Sequence, residues 1–468
     1  DELFAWAACK GHQADIGGAV KGGYNPDARE VWQEAFRIPP VKIYERGKRR
    51  DDVWDLIFAN IRLSIVAEDI KAQIGATVLG ERGITRLLER YGTSTLRSQI
   101  EHLFDATEQM VRKEINKIPN GTYDGESTAY YDGVEDASEM KIQLAVTVDD
   151  EKVTFDFNGT APQTPGFVNA PLAATSSAVL LTFLMLINPD IPHNGGLTRA
   201  LELKVPEGSF LNASYPAATT FGNSLTGPIS DAIFRAFSKA LPETVTAGWN
   251  RMLSLVITGE DPQKSNAPFV DILFLSQKGG SGAAHGVDGY DHIGLINCAG
   301  GLLAQDYEMF ESQNPVHLSK HQLKTDSAGP GEWRGGYGIE TEMMIEGENV
   351  AGVVFGDGIE DDAKAFGLFG GGSGILNKLA FTDPDGSERR PKSKEIIKDI
   401  KPHTVLTQIA GGGGGYGDPF RRPVEIVAHE ATNGLLSIEC ARQDYGVVID
   451  PETFGVDDKA TQELRSRI

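Results

Sequence analysis

Cysteine is scarce in this chain: Cys9, Cys298 and Cys440 are the only three in 468 residues, and no two lie in a C-x-x-C spacing. That excludes a disulfide framework and fits a reducing, cytoplasmic setting with buried structural thiols. Long hydrophobic runs are missing too. The longest candidate, residues 178–187, is interrupted by Thr182 and falls short of the ~18 apolar residues that a membrane helix needs. No signal-peptide pattern is visible. Positive charge is in deficit, with 44 Lys and Arg against 66 Asp and Glu and a net charge of -22. Such a surface repels phosphate backbones, which argues against nucleic acid as a partner. Three catalytic signatures are also absent. There is no G-x-x-x-x-G-K-[ST] loop for a nucleotide and no G-x-S-x-G elbow for a serine nucleophile. His429-Glu430 lacks the second histidine of H-E-x-x-H.

What is present suffices for a large core, in two or three domains or one elaborated unit. The apolar run Leu3-Phe4-Ala5-Trp6-Ala7-Ala8 reads as a strand. A domain rarely opens in mid-strand, so a further N-terminal segment is expected upstream of Asp1. Residues 51–117 show helical spacing, with Asp51 as a candidate cap, a helix over about 83–91 with Leu87 and Leu88 inward, and another over about 95–118. From 122 to 157 the period shortens to two, with Asp149-Asp150 as a hairpin turn. Helices are expected over about 174–187 and 230–241, strands over 201–205, 254–258, 269–276 and within 337–381, and paired helices over 423–445. Segregated helices and antiparallel β-rich modules predict a large, multi-lobed α+β subunit. Three regions follow: 1–120, a strand and helices incomplete at the N-terminus; 121–420, a β-rich core for substrate; and 421–468, a helical tail.

Two constellations carry chemistry. His12 and Asp15, entering the Gly17-Gly18 turn, can point at one divalent ion, although two ligands do not complete a site and a hydrogen-bonded structural pair is the plainer alternative. His285, Asp288, Asp291 and His292 sit among glycines in a loop expected to be flexible, where they can serve as acid–base groups or ligands, or as ordinary loop polarity. The glycines at 411–415 and Gly329-Pro330-Gly331 lack the strand, turn and helix of a phosphate loop, and read as places where backbones pack too closely for a side chain.

Four blocks in order carry a resemblance. They are His12-Gln13-Ala14-Asp15-Ile16-Gly17-Gly18 with 37–44 behind it; Phe157-Asn158-Gly159-Thr160-Ala161-Pro162-Gln163 with 168–171; Pro189-Asp190-Ile191-Pro192 with 206–212; and 411–419 with Asp444-Tyr445-Gly446-Val447-Val448. Over nearly the whole chain they resemble the B subunit of the hydantoinase/oxoprolinase family, whose relatives include the alpha subunits of acetone and acetophenone carboxylases. The resemblance implies a catalytic subunit of an ATP-dependent cyclic-amide hydrolase in a hetero-oligomer. An A-type partner would bind ATP, and this chain would hold substrate and a divalent metal of open identity (Zn, Mn or Mg). It makes His12 and Asp15 metal ligands, with the rest expected upstream. Gln13 departs from a second histidine common in relatives. His285, Asp288 and His292 are the candidates for substrate contact or proton transfer. The segment from Lys278 to His292 is somewhat carboxylase-like, so a ketone carboxylase subunit is the alternative enzyme and a non-catalytic scaffold for the A-type partner the alternative class.

Overall fold

The computed structural model describes residues 2–134, 138–303 and 305–466. Strand Glu139–Asp149 buries Met140, Ile142, Leu144, Val146 and Val148 and turns the intervening residues outward, the burial that a period of two produces. It pairs antiparallel with Gly121–Tyr130 and, through a turn where Asp150 has φ 49°, with Lys152–Asp156. Leu201–Lys204 joins as a parallel fourth strand. Helix Thr226–Phe237, buried along nearly its whole length, lies on this sheet. At Gly125 a Cβ would collide with the carbonyl of Ala232, so glycine permits the close helix–sheet approach.

Two further antiparallel sheets follow. One orders Glu395–Ile400, Glu348–Gly356, Leu253–Asp261 and Ala267–Ile272; the other orders Glu388–Arg389, Lys378–Thr382, Val405–Ala410, Ile339–Ile345 and Val316–Leu323. They share an apolar cluster in which Leu255, Ile257 and Val354 of the first meet Met343, Ile345 and Leu406 of the second. With the helices set apart from these sheets, the fold is α+β. Among the described residues no helix is long and apolar enough to cross a membrane.

The glycine runs bind the sheets together by backbone. Gly413 donates to the Gly336 carbonyl, Gly414 to Gly248 and Gly415 to Gly372, at 2.9 Å each. A Cβ on Gly412, Gly413, Gly414 or Gly415 would strike the backbone carbonyl of Ser327, Ser281, Phe366 or Pro330 respectively. This is the close packing expected from the sequence, and it clamps the 279–293 loop. Ala283 donates to Gly414, Gly289 to Arg334 and Ile293 to Gly279, at 2.9, 2.7 and 3.0 Å. The loop expected to be flexible is thus tied on both sides.

The N-terminal region departs most from expectation. Residues 3–8 form no strand. Leu3 and Trp6 are 63% and 84% exposed, and the segment runs beside a helix, where Ala7 contacts the position of Gly80. Apolar character favours a strand only where a second strand supplies hydrogen bonds, and the described residues offer none here. Asp51 is the first residue of helix Asp51–Phe58, after an Arg50 cap that makes no side-chain bond; its charge sits at the positive end of the helix dipole instead. A single helix, Ile65–Tyr91, replaces the short one expected at 83–91, passing through Gly75, Gly80 and Gly83 before Gly92 (φ 78°) ends it. Leu87 is exposed and Leu88 half-buried, so neither faces a core. Helix Thr93–Ile115 reaches the main core through Val111 and Ile115. At the C-terminus the expected pair, Val424–Thr432 and Ile438–Tyr445, is joined by a third helix, Asp458–Arg465.

Candidate functional site

Asp15 is 1% exposed, and its carboxylate is taken up by Arg62: the Arg62 side chain donates to Oδ1 at 3.1 Å and the Arg62 backbone to Oδ2 at 3.3 Å. His12 is exposed, and the buried Oε1 of Gln13 between them has no partner. Among the described residues no three His, Cys, Asp or Glu side chains gather where they could hold a metal. His12 and Asp15 therefore do not fit a metal by themselves. Asp15 anchors Arg62, a contact 47 positions away that local spacing cannot reveal.

The second constellation divides. Asp288 forms a bidentate pair with Arg422 at 2.7 and 2.8 Å and accepts the Arg334 backbone N–H at 2.9 Å. Asp291 accepts from the Arg334 guanidinium at 2.9 Å and from the Tyr337 backbone at 2.7 Å. One oxygen of Glu430 accepts from Nε of Arg334 and from the Arg422 guanidinium, at 2.8 Å each, while Nε of Arg422 is buried without a partner. Charge-assisted bonds of this kind fix a loop. His285 is exposed and meets the rings of Trp333 and Tyr416 edge-on at 4.8 and 6.2 Å. The structure thus gives Asp288 and Asp291 to the loop's anchorage, sets His285 apart on an aromatic edge, and turns His292 elsewhere.

His292 adopts φ 46° and packs edge-on against His321 at 5.1 Å. His321 lies on strand Val316–Leu323 opposite Thr341, whose hydroxyl is 2.9 Å from its Nδ1. The Nε2 atoms of both histidines are buried and without a partner. Close by is Lys278, which follows the turn Phe274–Gln277, is 1% exposed and pairs with no carboxylate among the described residues. Neighbouring Gln277 has both amide atoms buried and unpartnered. Burial, and then the charge of Lys278, push the His292 imidazole below its usual range. Burial, then His292 and Lys278, bring His321 down to about 4. Burial lowers the Lys278 ammonium, with a smaller opposing influence from Cys298. Tyr307, which opens helix Tyr307–Gln313, stands 5.3 Å from the His321 ring, and Cys298 is exposed. The site has a buried cation beneath two neutral imidazoles, each with one open nitrogen. It can attract an anion and donate hydrogen bonds to it.

Sequence spacing pointed to His292 but missed His321, Thr341 and Arg62, and it reached Lys278 only as the start of a motif. The one local hint was the polar stretch Ser276-Gln277-Lys278 directly after an apolar run.

The hydantoinase B/oxoprolinase family model matches residues 1–419. The chain belongs to that family. This hydantoinase B-type chain is 36% identical over 460 residues to caprolactamase subunit beta of Pseudomonas jessenii, covering 96% of the chain and 78% of the relative. The crystal structure of the ATP-dependent caprolactamase from the same organism superposes with a TM-score of 0.88 at 32% identity, over 98% of this chain and 79% of that one. A nucleotide-free acetone carboxylase superposes with a TM-score of 0.89 at 19% identity, over 98% and 67% respectively. At that identity the likeness shows the fold alone.

Proposed function

We propose that this chain is the catalytic B-type subunit of a cytoplasmic, ATP-dependent cyclic-amide hydrolase, working in a hetero-oligomer with an ATP-binding A-type partner. The observation that carries this reading is the 36% identity across 96% of the chain to a caprolactamase beta subunit. The missing phosphate loop agrees with nucleotide handling on a second polypeptide. The carboxylase alternative has support at the level of fold only.

A lactam carbonyl is a poor electrophile. Transfer of the γ-phosphoryl group of ATP to its oxygen releases ADP and leaves an electrophilic imidate. Water adds at carbon, the C–N bond breaks with the ring nitrogen leaving as an amine, and a second water cleaves the acyl phosphate to carboxylate and phosphate. The imidazoles of His292 and His321, kept neutral by burial and by Lys278, can hold the oxygens of substrate or intermediate by hydrogen bonds in such a sequence. Purified chain and A-type partner, given ATP with 5-oxoproline, hydantoins or caprolactam, release ADP in a lactam-dependent manner. ADP release that depends on a ketone and bicarbonate would assign the carboxylase instead, and turnover unaffected by omitting this chain would leave it a scaffold.

The family resemblance adds a divalent ion bound by His12 and Asp15 together with ligands from outside the described residues. Because the two alone do not form a centre, no chemical step is routed through it. Metal analysis of the full-length protein tests this separately: a stoichiometric ion lost in His12→Ala supports it, and an unchanged content in that variant refutes it.

A further inference from the structure

We propose that Lys278, His292 and His321 form a binding site for a small oxyanion, with the ammonium supplying charge and the two Nε2–H groups supplying hydrogen bonds. Three observations converge on it. Lys278 is 1% exposed and lacks a counter-charge among the described residues, whereas the buried arginines Arg251 and Arg422 each face two carboxylates. A buried cation left unpaired is costly, and a bound anion removes that cost. The two imidazoles next to it end in unpartnered, buried Nε2 atoms. The Thr341 hydroxyl, 2.9 Å from Nδ1 of His321, can donate there and so place the ring proton on Nε2, which makes the open nitrogen a donor.

A cation is the wrong occupant. The imidazoles already feel the positive charge of Lys278, which a metal would have to share. No third histidine, cysteine or carboxylate completes a ligand set among the described residues. The occupant is therefore an anion with several oxygens, a phosphoryl group or a carboxylate. The rigid loop beneath it keeps the donors in place: Ser281 donates to Tyr290 and Ile293 to Gly279, at 3.0 Å each, so the stretch from Lys278 to His292 closes on itself. Assigning the oxyanion to the phosphoryl group of an activated amide, or to the carboxylate of the opened product, rests on the hydrolase reading. The existence of the site does not.

Titration of the full-length chain with inorganic phosphate and, separately, with acetate tests it, followed by calorimetry and, for phosphate, by phosphorus line broadening. Wild-type protein takes one or both anions saturably. Lys278→Met weakens binding at least about tenfold, the loss expected for a charge-assisted contact. His321→Asn, which can keep the bond to Thr341 but removes Nε2, weakens it less, and His321→Gln, which restores a donor at that place, recovers it. Phosphate binding assigns a phosphoryl site and acetate binding alone a carboxylate site. The proposal is overturned if neither anion binds, or if Lys278→Met of unchanged melting temperature binds as wild type. Should Lys278→Met not fold, the His321 pair decides: equal affinity in wild type, Asn and Gln variants overturns it as well. A chain that binds phosphate yet supports no lactam-dependent ADP release keeps the site and loses the hydrolase.

Discussion

Two clusters flank the same loop and treat charge in opposite ways. On one side Asp288, Asp291 and Glu430 are matched against Arg334 and Arg422, so that each charge faces an opposite one, although Nε of Arg422 and one carboxylate oxygen of Glu430 are buried without a partner. On the other, Lys278 is buried with no carboxylate partner among the described residues, and the Nε2 atoms of His292 and His321 are buried without a partner. Charges that build the loop are neutralised within the chain, and a cation left without a carboxylate a few residues away is available to something from outside it. Sequence proximity joined His285, Asp288 and His292 into one candidate; the structure separates anchorage from availability.

The largest test of this contrast is Arg422→Met. It strands Asp288 and leaves Glu430 with Arg334 alone, in a site where Arg422 is buried, and a stability loss of about 3–5 kcal/mol in urea unfolding is expected for a broken buried pair. A loss below about 1 kcal/mol, the size typical of exposed ion pairs, would show that the anchorage is not what holds the loop.

The second test uses pH. The His321 value in the fold, about 4, lies below the 6.5 of an unfolded chain. Between those values the unfolded state binds the proton in preference, so stability is lost as pH falls from 6.5 towards 4 and is fully present above 6.5. His292 acts in the same direction. Unfolding midpoints measured across that window should drop with pH, and His321→Gln should flatten the slope; a slope identical in wild type and variant would place the effect elsewhere.

Third, Lys278→Met removes an unpaired buried charge rather than half of a pair. Unfolding free energy should stay within about 1 kcal/mol of wild type or rise, while lactam-dependent ADP release falls at least about tenfold, the kinetic cost of one charge-assisted contact. A destabilisation matching that of Arg422→Met would erase the distinction between the clusters. The smallest change is expected from Leu87→Ser on the long helix, where the side chain is exposed. There the shift should lie within about 0.5 kcal/mol, and a larger one would mean that this face is covered in solution.

Legibility in the sequence followed the range of the contacts. The strands at 139–149 and 152–156 and their turn at Asp149-Asp150 were readable because alternation and hairpin chemistry are local. The close packing of 411–415 was readable because glycine without a phosphate-loop context leaves few other roles. The run at 3–8 was misread because apolar side chains do not say whether a second strand is at hand. Leu87 was placed inward because periodicity marks a face without showing what covers it. His321 reaches His292 only through the pairing of Val316–Leu323 with Ile339–Ile345, and Asp15 finds Arg62 only in three dimensions, so neither partner could be inferred from spacing.

The glycine interlock bears on how specificity can change in such a protein. The platform beneath Lys278 and His292 is cast from main chain, and at Gly413 even a methyl group would run into the carbonyl of Ser281. Variation that alters which molecule is accepted has little room there. It has to arise at the rim, where Tyr307 and Cys298 stand partly in solvent, so libraries aimed at new substrates should diversify those positions and leave the platform alone.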